Sequence, residues 1–178
     1  MADLPPPEVL SDGIVTLRPW IEADAPAIVE CIDGDEEITR WLDQIPQPYA
    51  LEHALAYLRG IGESSLAVVD STGRVLGSIG VRWDEPGDVG EVGYWLRADA
   101  RGRGVTSRAL LLISRWALSR DGVGRLQLRA AVENVASRRV AEKAGFRLEG
   151  VLRSAHWNPR LEQRVDWAMY SLLPGELA

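Results

Sequence analysis

The stretch Glu91-Val-Gly-Tyr-Trp-Leu-Arg-Ala-Asp-Ala-Arg-Gly-Arg-Gly-Val-Thr106 stands just before an apolar run near the middle of the chain. Its order predicts a strand, a short basic glycine loop and then the start of a helix. Unpaired backbone N–H groups and the helix dipole make such a helix start suitable for an anion, such as a diphosphate. Gly102 and Gly104 allow the backbone to approach a ligand closely, and Arg101 and Arg103 add positive charge.

Two common nucleotide-binding motifs do not fit this loop. The Walker pattern requires a lysine, and residues 101–108 contain none. The dinucleotide pattern Gly-x-Gly-x-x-Gly requires a third glycine at the position where Ser107 stands. Taken alone, the loop is also compatible with a simple strand-to-helix turn that carries surface arginines, so the rest of the chain has to decide.

Length and composition indicate one soluble domain. The chain has 178 residues, of which 46% are hydrophobic and 26% are charged, and its net charge is −6. This charge argues against nucleic-acid binding, and the longest aliphatic run is too short to span a membrane. A single cysteine, Cys31, excludes an internal disulfide and fits a reducing cytoplasm, and two scattered histidines predict no metal site. We expect a flexible tail over residues 1–13 and a single domain over residues 14–178.

Hydrophobic periodicity predicts seven strands and five helical segments along the chain. The strands are expected at 14–18, 65–70, 74–83, 89–97, 125–132, 146–152 and 165–172, and the helices at 22–32, 34–42, 50–58, 104–119 and 134–144. Their order predicts an α+β fold, with a mixed, largely antiparallel sheet of about seven strands, flanking helices and one strand–helix–strand unit. The strands at 89–97 and 125–132 should run parallel, which places the glycine loop at a strand end where ligands commonly bind.

Arg101-Gly-Arg-Gly-Val-Thr106 resembles the Gln/Arg-x-x-Gly-x-Gly/Ala signature of the GNAT acyl-CoA N-acyltransferases. Four other segments resemble the RimJ/RimL branch, whose named members acetylate the N-terminus of ribosomal proteins: Thr16 to Trp20, Glu91 to Leu96, Asn134 to Phe146 and Leu148 to Arg153. The resemblance covers residues 14–173 and implies the GNAT fold, with a βαβ core that binds CoA. Thr106 departs from the signature, which has glycine or alanine at that position.

The resemblance implies that acetyl-CoA is the acyl donor. The glycine loop would hold its diphosphate, the main chain of the 94–97 strand would bind the pantetheine arm, and a backbone N–H near Trp95 or Leu96 would stabilise the oxyanion. The cofactor-binding residues that it implies are Tyr94, Trp95, Leu96, Arg97, Arg101, Gly102, Arg103, Gly104, Val105, Thr106, Asn134, Ser137, Arg139 and Lys143. Two alternatives stay open, in which Asn134 caps its helix and the basic helix residues form a solvated face.

Catalysis requires a proton for the leaving thiolate and a base for the acceptor amine. By resemblance Ser137 would supply that proton, although a hydroxyl in the first turn of a helix also serves as a local cap. The candidates for the base are His156 and Glu91. Histidine side chains change charge near neutral pH, so we favour His156, with a packed histidine and a strand-edge glutamate as the plain alternatives.

The acceptor is expected to be a primary amine, and the branch implies a protein or peptide N-terminus. A small-molecule amine, such as an aminoglycoside or a polyamine, is the second candidate, and a non-catalytic acyl-CoA-binding module is the third. The acidic residues between Asp33 and Asp43 would attract a cationic amine or simply form a hydrated helix start. The apolar segment from Val165 to Leu173 suggests a strand that pairs or packs across a homodimer.

Overall fold

A computed structural model describes residues 7–60, 65–84 and 87–177. Every strand and helix expected from the sequence is present in the expected order. The described strands are β1 (Leu10–Ser11), β2 (Thr16–Pro19), β3 (Ser65–Val69), β4 (Val75–Trp83), β5 (Val89–Leu96), β6 (Arg125–Ala131), β7 (Arg147–Asn158) and β8 (Gln163–Leu172). The described α-helices are α1 (Ala25–Ile32), α2 (Glu36–Trp41), α3 (Leu51–Gly60), α4 (Val105–Leu118) and α5 (Val135–Lys143).

All of these strands form one sheet in the order β1-β2-β3-β4-β5-β6-β8-β7. Each neighbouring pair is antiparallel except β5 and β6, which run parallel on either side of α4 in the chain. The predicted α+β class, with a largely antiparallel sheet and one strand–helix–strand unit, is therefore confirmed. The boundary of the single domain at residue 14 stays a prediction.

The strand β1 is not expected from the sequence, and it lies inside the segment assigned to a flexible tail. Leu10 and Ser11 pair with Leu17 and Thr16 of β2. The chain can turn back here because the Asp12 carboxylate accepts hydrogen bonds from the backbone N–H groups of Ile14 and Val15, at 3.0 and 2.9 Å. Residues 1–6 of the expected tail lie outside the described residues.

The parallel ladder between β5 and β6 is short. It joins Val89 to Arg125 and ends at the pair Glu91 and Gln127. Beyond this point β6 continues to pair with β8, while β5 continues to pair with β4 as far as Leu96. The two parallel strands therefore separate, and the splayed end of β5 leads directly into the glycine loop.

Helices cover both faces of the sheet. On one face α4 and α5 pack on a core that includes alternate residues of β6, namely Leu126, Leu128 and Ala130, as their alternation in the sequence predicts. On the other face α1 and α3 enclose a second core, to which β5 contributes Trp95. Each strand between these two layers therefore sends one set of side chains toward the α4–α5 face and the other set toward the α1–α3 face.

The centre of the sheet depends on close contact between β4 and β5. A Cβ atom on Gly77 would lie 2.2 Å from the Trp95 carbonyl oxygen and 3.0 Å from the Leu96 Cα atom. Only glycine fits at this position, because the neighbouring atoms belong to the backbone and cannot turn aside. The close approach of the Trp95 and Leu96 backbone to β4 thus depends on the absence of a side chain at Gly77.

The closing antiparallel pair is confirmed, but β7 runs to Asn158 rather than to residue 152. Irregular register between Leu152 and His156 accommodates the extra length, and Ser154 adopts a left-handed φ of 52° there. From the sequence, the Val165 segment is expected to pair or pack across a homodimer. Pairing is wrong for residues 167–171, because β8 lies between β6 and β7 there and both of its hydrogen-bonding edges are used; packing across a homodimer stays a prediction. On this side the edge strand of the sheet is β7, and at the opposite side it is β1.

Candidate active site

The glycine loop has the geometry that the sequence predicts. Gly102 and Gly104 have left-handed φ values of 73° and 77°, and Gly104 is the N-cap of α4. A Cβ atom would meet nothing within 4 Å at either glycine, so backbone conformation rather than crowding requires glycine. No side chain caps α4, and the first-turn N–H groups of Val105 and Thr106 are therefore available to an anion.

The two loop arginines differ in their contacts. The guanidinium of Arg101 donates to the Leu96 carbonyl oxygen at 2.9 Å and forms an ion pair with Asp35. The backbone N–H of Arg101 is also used, since it donates to Ala98. Arg103 is exposed, and no described residue forms a hydrogen bond or an ion pair with it. The Arg101 side chain thus anchors the loop to β5 and α2, while Arg103 is accessible; phosphate binding by the two arginines stays a prediction.

The backbone of β5 presents alternate residues to the gap beside β6. The N–H of Arg97 donates to Leu76 and so points toward β4. Because successive residues of a strand direct their backbone groups to opposite edges, Leu96 and Tyr94 point toward the gap and Trp95 does not. Of the two N–H groups expected to stabilise an oxyanion, the geometry therefore favours that of Leu96. The Arg97 side chain is engaged elsewhere, with Asp99 at 2.7 Å.

Two hydroxyl groups meet where β5 has separated from β6. The Tyr94 hydroxyl lies 2.8 Å from the Ser137 hydroxyl and 3.2 Å from the Ser137 carbonyl oxygen. Burial raises the pKa of Tyr94 to about 12, against the opposing effect of its hydrogen bond with Ser137. Tyr94 is therefore a protonated hydroxyl at neutral pH that orients Ser137. From the sequence, only the main chain of Tyr94 is expected to act. The signal for its hydroxyl is that Tyr94 shares a strand face with Val92 and Leu96, toward α5.

Asn134 caps α5, as one of the two alternatives predicts. Its side-chain oxygen accepts the Ser137 N–H at 3.0 Å. This bond fixes the first turn of α5 and with it the position of the Ser137 hydroxyl. Arg139 and Lys143, further along the same helix, are exposed, and no described residue pairs with either side chain. Both are accessible to a phosphate group.

His156 is held by two neighbours on the other face of the sheet. Its Nε2 atom lies 2.7 Å from the Asp43 carboxylate. Its ring stacks on Trp167 with a centroid distance of 5.3 Å and an interplanar angle of 20°. The Arg129 guanidinium lies 4.4 Å from the centre of the same Trp167 ring. His156 is thus an oriented side chain that still has 37% of its side-chain surface exposed.

The second base candidate, Glu91, has a carboxylate that is already occupied. It forms ion pairs with Arg82 at 2.9 Å and with Arg129, and it accepts a hydrogen bond from Gln127 at 3.3 Å. Two guanidinium groups hold this carboxylate as an anchor between β4, β5 and β6. Through Arg129 and Trp167 it belongs to the same connected cluster as His156, but it is the less accessible of the two, with 21% of its side-chain surface exposed.

The acidic segment between α1 and α3 is largely committed to structural contacts. Asp33 accepts the Tyr49 N–H, Asp35 caps α2 and pairs with Arg101, and Asp43 contacts His156. Glu37 accepts a hydrogen bond from Trp41. These contacts favour the local alternative over a cluster that steers cations. Across the part of the chain that the structure describes, no group of acidic, histidine and cysteine side chains is arranged to hold a metal, and no helix is long and apolar enough to cross a membrane.

Comparison with known proteins decides the family. The sequence profile described as Acetyltransferase (GNAT) domain matches residues 15–147. The chain belongs to the GNAT acetyltransferase family. The resemblance to this family that the glycine loop and the α5 segment suggest is therefore confirmed.

Individual relatives of this GNAT chain include members of the expected branch. It is 33% identical over 98 residues to the ribosomal-protein-serine acetyltransferase of Escherichia coli K12, a match that covers 54% of each chain and so about half the length of that relative. It is 25% identical over 180 residues to the uncharacterized N-acetyltransferase p20 of Bacillus licheniformis, covering 96% of this chain and 99% of that protein. Its fold is similar to that of RimL, a ribosomal L7/L12 alpha-N-protein acetyltransferase solved with coenzyme A, with a TM-score of 0.83 and 20% identity over 93% of this chain and 98% of RimL.

Proposed function

We propose that this GNAT chain is an acetyl-CoA-dependent N-acetyltransferase whose acceptor is the N-terminal amine of a protein or peptide. The observation that carries the proposal is the Tyr94–Ser137 hydroxyl pair, which lies at the splayed end of β5. A protonated hydroxyl there can give its proton to a leaving thiolate, provided that the thioester occupies the gap between β5 and β6. The same strand then continues into a loop suited to the diphosphate of the donor.

The donor site of this proposal combines the start of α4, the backbone of β5 and exposed basic side chains. The uncapped start of α4 and the exposed Arg103 would bind the diphosphate. The Leu96 N–H would stabilise the oxyanion, and Arg139 and Lys143 would contact the 3′-phosphate of the adenosine. The coenzyme A bound to RimL supports this choice of donor, because the two folds correspond over nearly their full lengths.

His156 is the base in this proposal, and Glu91 fixes its surroundings. An N-terminal ammonium with a pKa of about 8 must lose a proton before it attacks a thioester. The imidazole of His156 is oriented and partly exposed, whereas the Glu91 carboxylate is held by two arginines. The name of the E. coli relative supports a ribosomal-protein acceptor with an N-terminal serine, and we propose this acceptor class over small-molecule amines.

The test combines ligand binding with turnover. Thermal-shift measurements with CoA, acetyl-CoA, ATP and NAD should show stabilisation by the first two ligands only. A thiol-release assay with acetyl-CoA should then be run against peptides with N-terminal serine or alanine, an N-terminally blocked peptide, spermidine and an aminoglycoside. We expect turnover with the free N-terminal peptides and none with the blocked one. Turnover only with the small amines would replace the proposed acceptor, and CoA binding without any turnover would support the non-catalytic alternative.

We also propose that the protein forms a homodimer through β7 rather than through β8. On this edge strand, the apolar residues Leu148, Val151 and Leu152 are 49%, 47% and 48% exposed. Exposed apolar edge strands commonly pair with another chain. Light scattering at micromolar concentration should give twice the monomer mass, and a Val151→Lys variant should be monomeric. A monomeric wild-type protein would overturn this proposal. A cytoplasmic location stays a prediction.

A further inference from the structure

The segment between α2 and α3 is fastened to the β7–β8 hairpin at three points. His156 contacts Asp43, the Asn158 amide donates to the Arg40 carbonyl oxygen at 2.8 Å, and Arg160 donates to the Ile45 carbonyl oxygen at 2.7 Å. The contacts of Asn158 and Arg160 fix the backbone on either side of Asp43. The position of the Asp43 carboxylate is therefore set independently of its contact with His156.

The Asp43 carboxylate is nearly buried, with 11% of its side-chain surface exposed. Among the described residues, His156 is the group that forms a hydrogen bond with it. Because a carboxylate needs donors when it leaves water, the short contact places a hydrogen on Nε2 of His156. The lone pair of the neutral ring is then on Nδ1, and no described residue occupies that atom.

Stacking fixes the plane of the His156 ring, and other charges act on it only indirectly. Trp167 lies against one face of the imidazole, and Arg129 contacts Trp167 rather than His156. Arg129 is in turn paired with Glu91. Arg164, on the neighbouring part of β8, is bonded to the Ser154 carbonyl oxygen. Asp43 is thus the charged group in direct contact with the ring.

We propose that Asp43 is a positioning residue for acetyl transfer, which keeps Nδ1 of His156 unprotonated toward the acceptor amine and stabilises the imidazolium once it forms. This inference rests on the proposed function. In the step itself, Nδ1 takes one proton from the acceptor ammonium. The amine lone pair then forms the C–N bond as the C–S bond breaks. The sulfur leaves with the bonding electron pair and takes a proton from the Ser137 hydroxyl. The nitrogen then loses its second proton, which reaches Ser137 through solvent and restores the hydroxyl.

The kinetic test compares Asp43→Asn with a variant that loosens the same segment without touching His156. Arg160→Ala removes only the bond to the Ile45 carbonyl oxygen. For Asp43→Asn we expect kcat/KM at neutral pH to fall by roughly tenfold to a hundredfold, a loss smaller than that of removing a general base outright. We expect this loss to lie in kcat rather than in KM, because Asp43 acts through His156. Arg160→Ala should raise KM and leave kcat nearly unchanged, and Asp43→Glu should restore part of kcat.

A second measurement does not depend on turnover. The chain has two histidines, so nitrogen-15 NMR of a His53→Gln variant reports on His156 alone. The neutral ring should carry its proton on Nε2, with slow exchange that is lost in Asp43→Asn. A ring protonated on Nδ1 instead would overturn the inference, as would an Asp43→Asn variant whose changes in kcat and KM match those of Arg160→Ala. If the wild-type protein acetylates none of the amines, both the proposed function and this inference fail. If the wild type is active and Asp43→Asn behaves like Arg160→Ala, only the inference about Asp43 fails.

Discussion

The Tyr94 hydroxyl lies 2.8 Å from the Ser137 hydroxyl and connects β5 to the first turn of α5. The two residues are 43 positions apart in the chain. They meet beyond the pair Glu91 and Gln127, where the parallel ladder has ended and β5 has separated from β6. Tyr94 thus packs against the core and, where β5 separates from β6, also places its hydroxyl beside that of Ser137.

Replacing Ser137 by alanine should lower kcat by about a hundredfold, because a positioned proton donor typically contributes a factor of this size. Tyr94→Phe should have a smaller effect, since in this proposal Tyr94 orients Ser137 and Ser137 gives the proton. Single-turnover measurements with acetyl-CoA and a peptide would separate this step from product release. Ser119→Ala is the control, because that hydroxyl bonds to Trp116 at the far end of α4. A Ser137→Ala enzyme with wild-type kcat would remove Ser137 from the mechanism.

Gly104→Ala should weaken CoA binding and reduce stability, whereas Gly122→Ala should reduce stability alone. Both glycines have left-handed φ values, 77° and 87°, and open space where a Cβ atom would stand. The conformational cost of alanine is therefore about the same at both sites, roughly 1 kcal/mol. Calorimetric titration with CoA and thermal unfolding of each variant would test this. Equal CoA affinity in the two variants would contradict the assignment of the glycine loop.

Replacing the two loop arginines should affect different properties, CoA binding for Arg103 and stability for Arg101. Arg103→Ala should weaken CoA binding by roughly tenfold and reduce its dependence on ionic strength, because one charge-assisted contact with a phosphate is lost. Arg101→Ala should instead lower the free energy of unfolding by about 2 kcal/mol, because it leaves the Asp35 side chain, which is 9% exposed, without its ion partner. Titration calorimetry and urea unfolding on both variants would show the exchange of roles. A Arg101→Ala protein of normal stability but reduced CoA affinity would reverse our interpretation.

Gly77→Ala should destabilise the protein by about 3 kcal/mol, because the new methyl group would overlap the Trp95 carbonyl oxygen. Gly93→Ala, on the adjacent strand, is the matched control. A Cβ atom there meets nothing within 4 Å, so the free energy of unfolding should change by less than about 0.5 kcal/mol. Urea unfolding at neutral pH measures both changes. Similar losses in the two variants would indicate that contact with Trp95 is not what requires glycine.

The ion pair between Arg125 and Glu149 should make stability depend on acid pH. Hydrogen bonds from Arg125 and then from Ser171 lower the pKa of Glu149 from its ordinary value of 4.5 to about 2. The contribution of the pair to stability is thus present above pH 4.5 and is lost as the pH falls toward 2. Because the Glu149 side chain is 44% exposed, we expect less than about 1 kcal/mol. Urea unfolding at pH 7, 5 and 3 should show a steeper loss for the wild type than for Glu149→Gln or Arg125→Gln.

Much of the fold could be predicted because its determinants are local. The alternation of β6, the left-handed glycines before α4 and the capping residue Asn134 each act within a few residues of the chain. The β1 strand and the extension of β7 were missed although each pairs with the next strand along the chain, because β1 is two residues long and β7 has irregular register between Leu152 and His156. The glycine loop was also predicted from its sequence. The sequence did not reveal that Arg101 contacts Asp35 and Leu96 while Arg103 is exposed.

The sequence by itself determined the order of the elements, the parallel βαβ unit and the family, because periodicity, turn residues and motifs are properties of neighbouring residues. Only the tertiary structure decided which side chains act together. It paired Ser137 with the Tyr94 hydroxyl, occupied Glu91 with two arginines, and placed Asp43 beside His156, 113 positions away. The reason is physical: the direction and the partner of a polar side chain depend on which surfaces pack together, and packing joins residues that the chain keeps far apart.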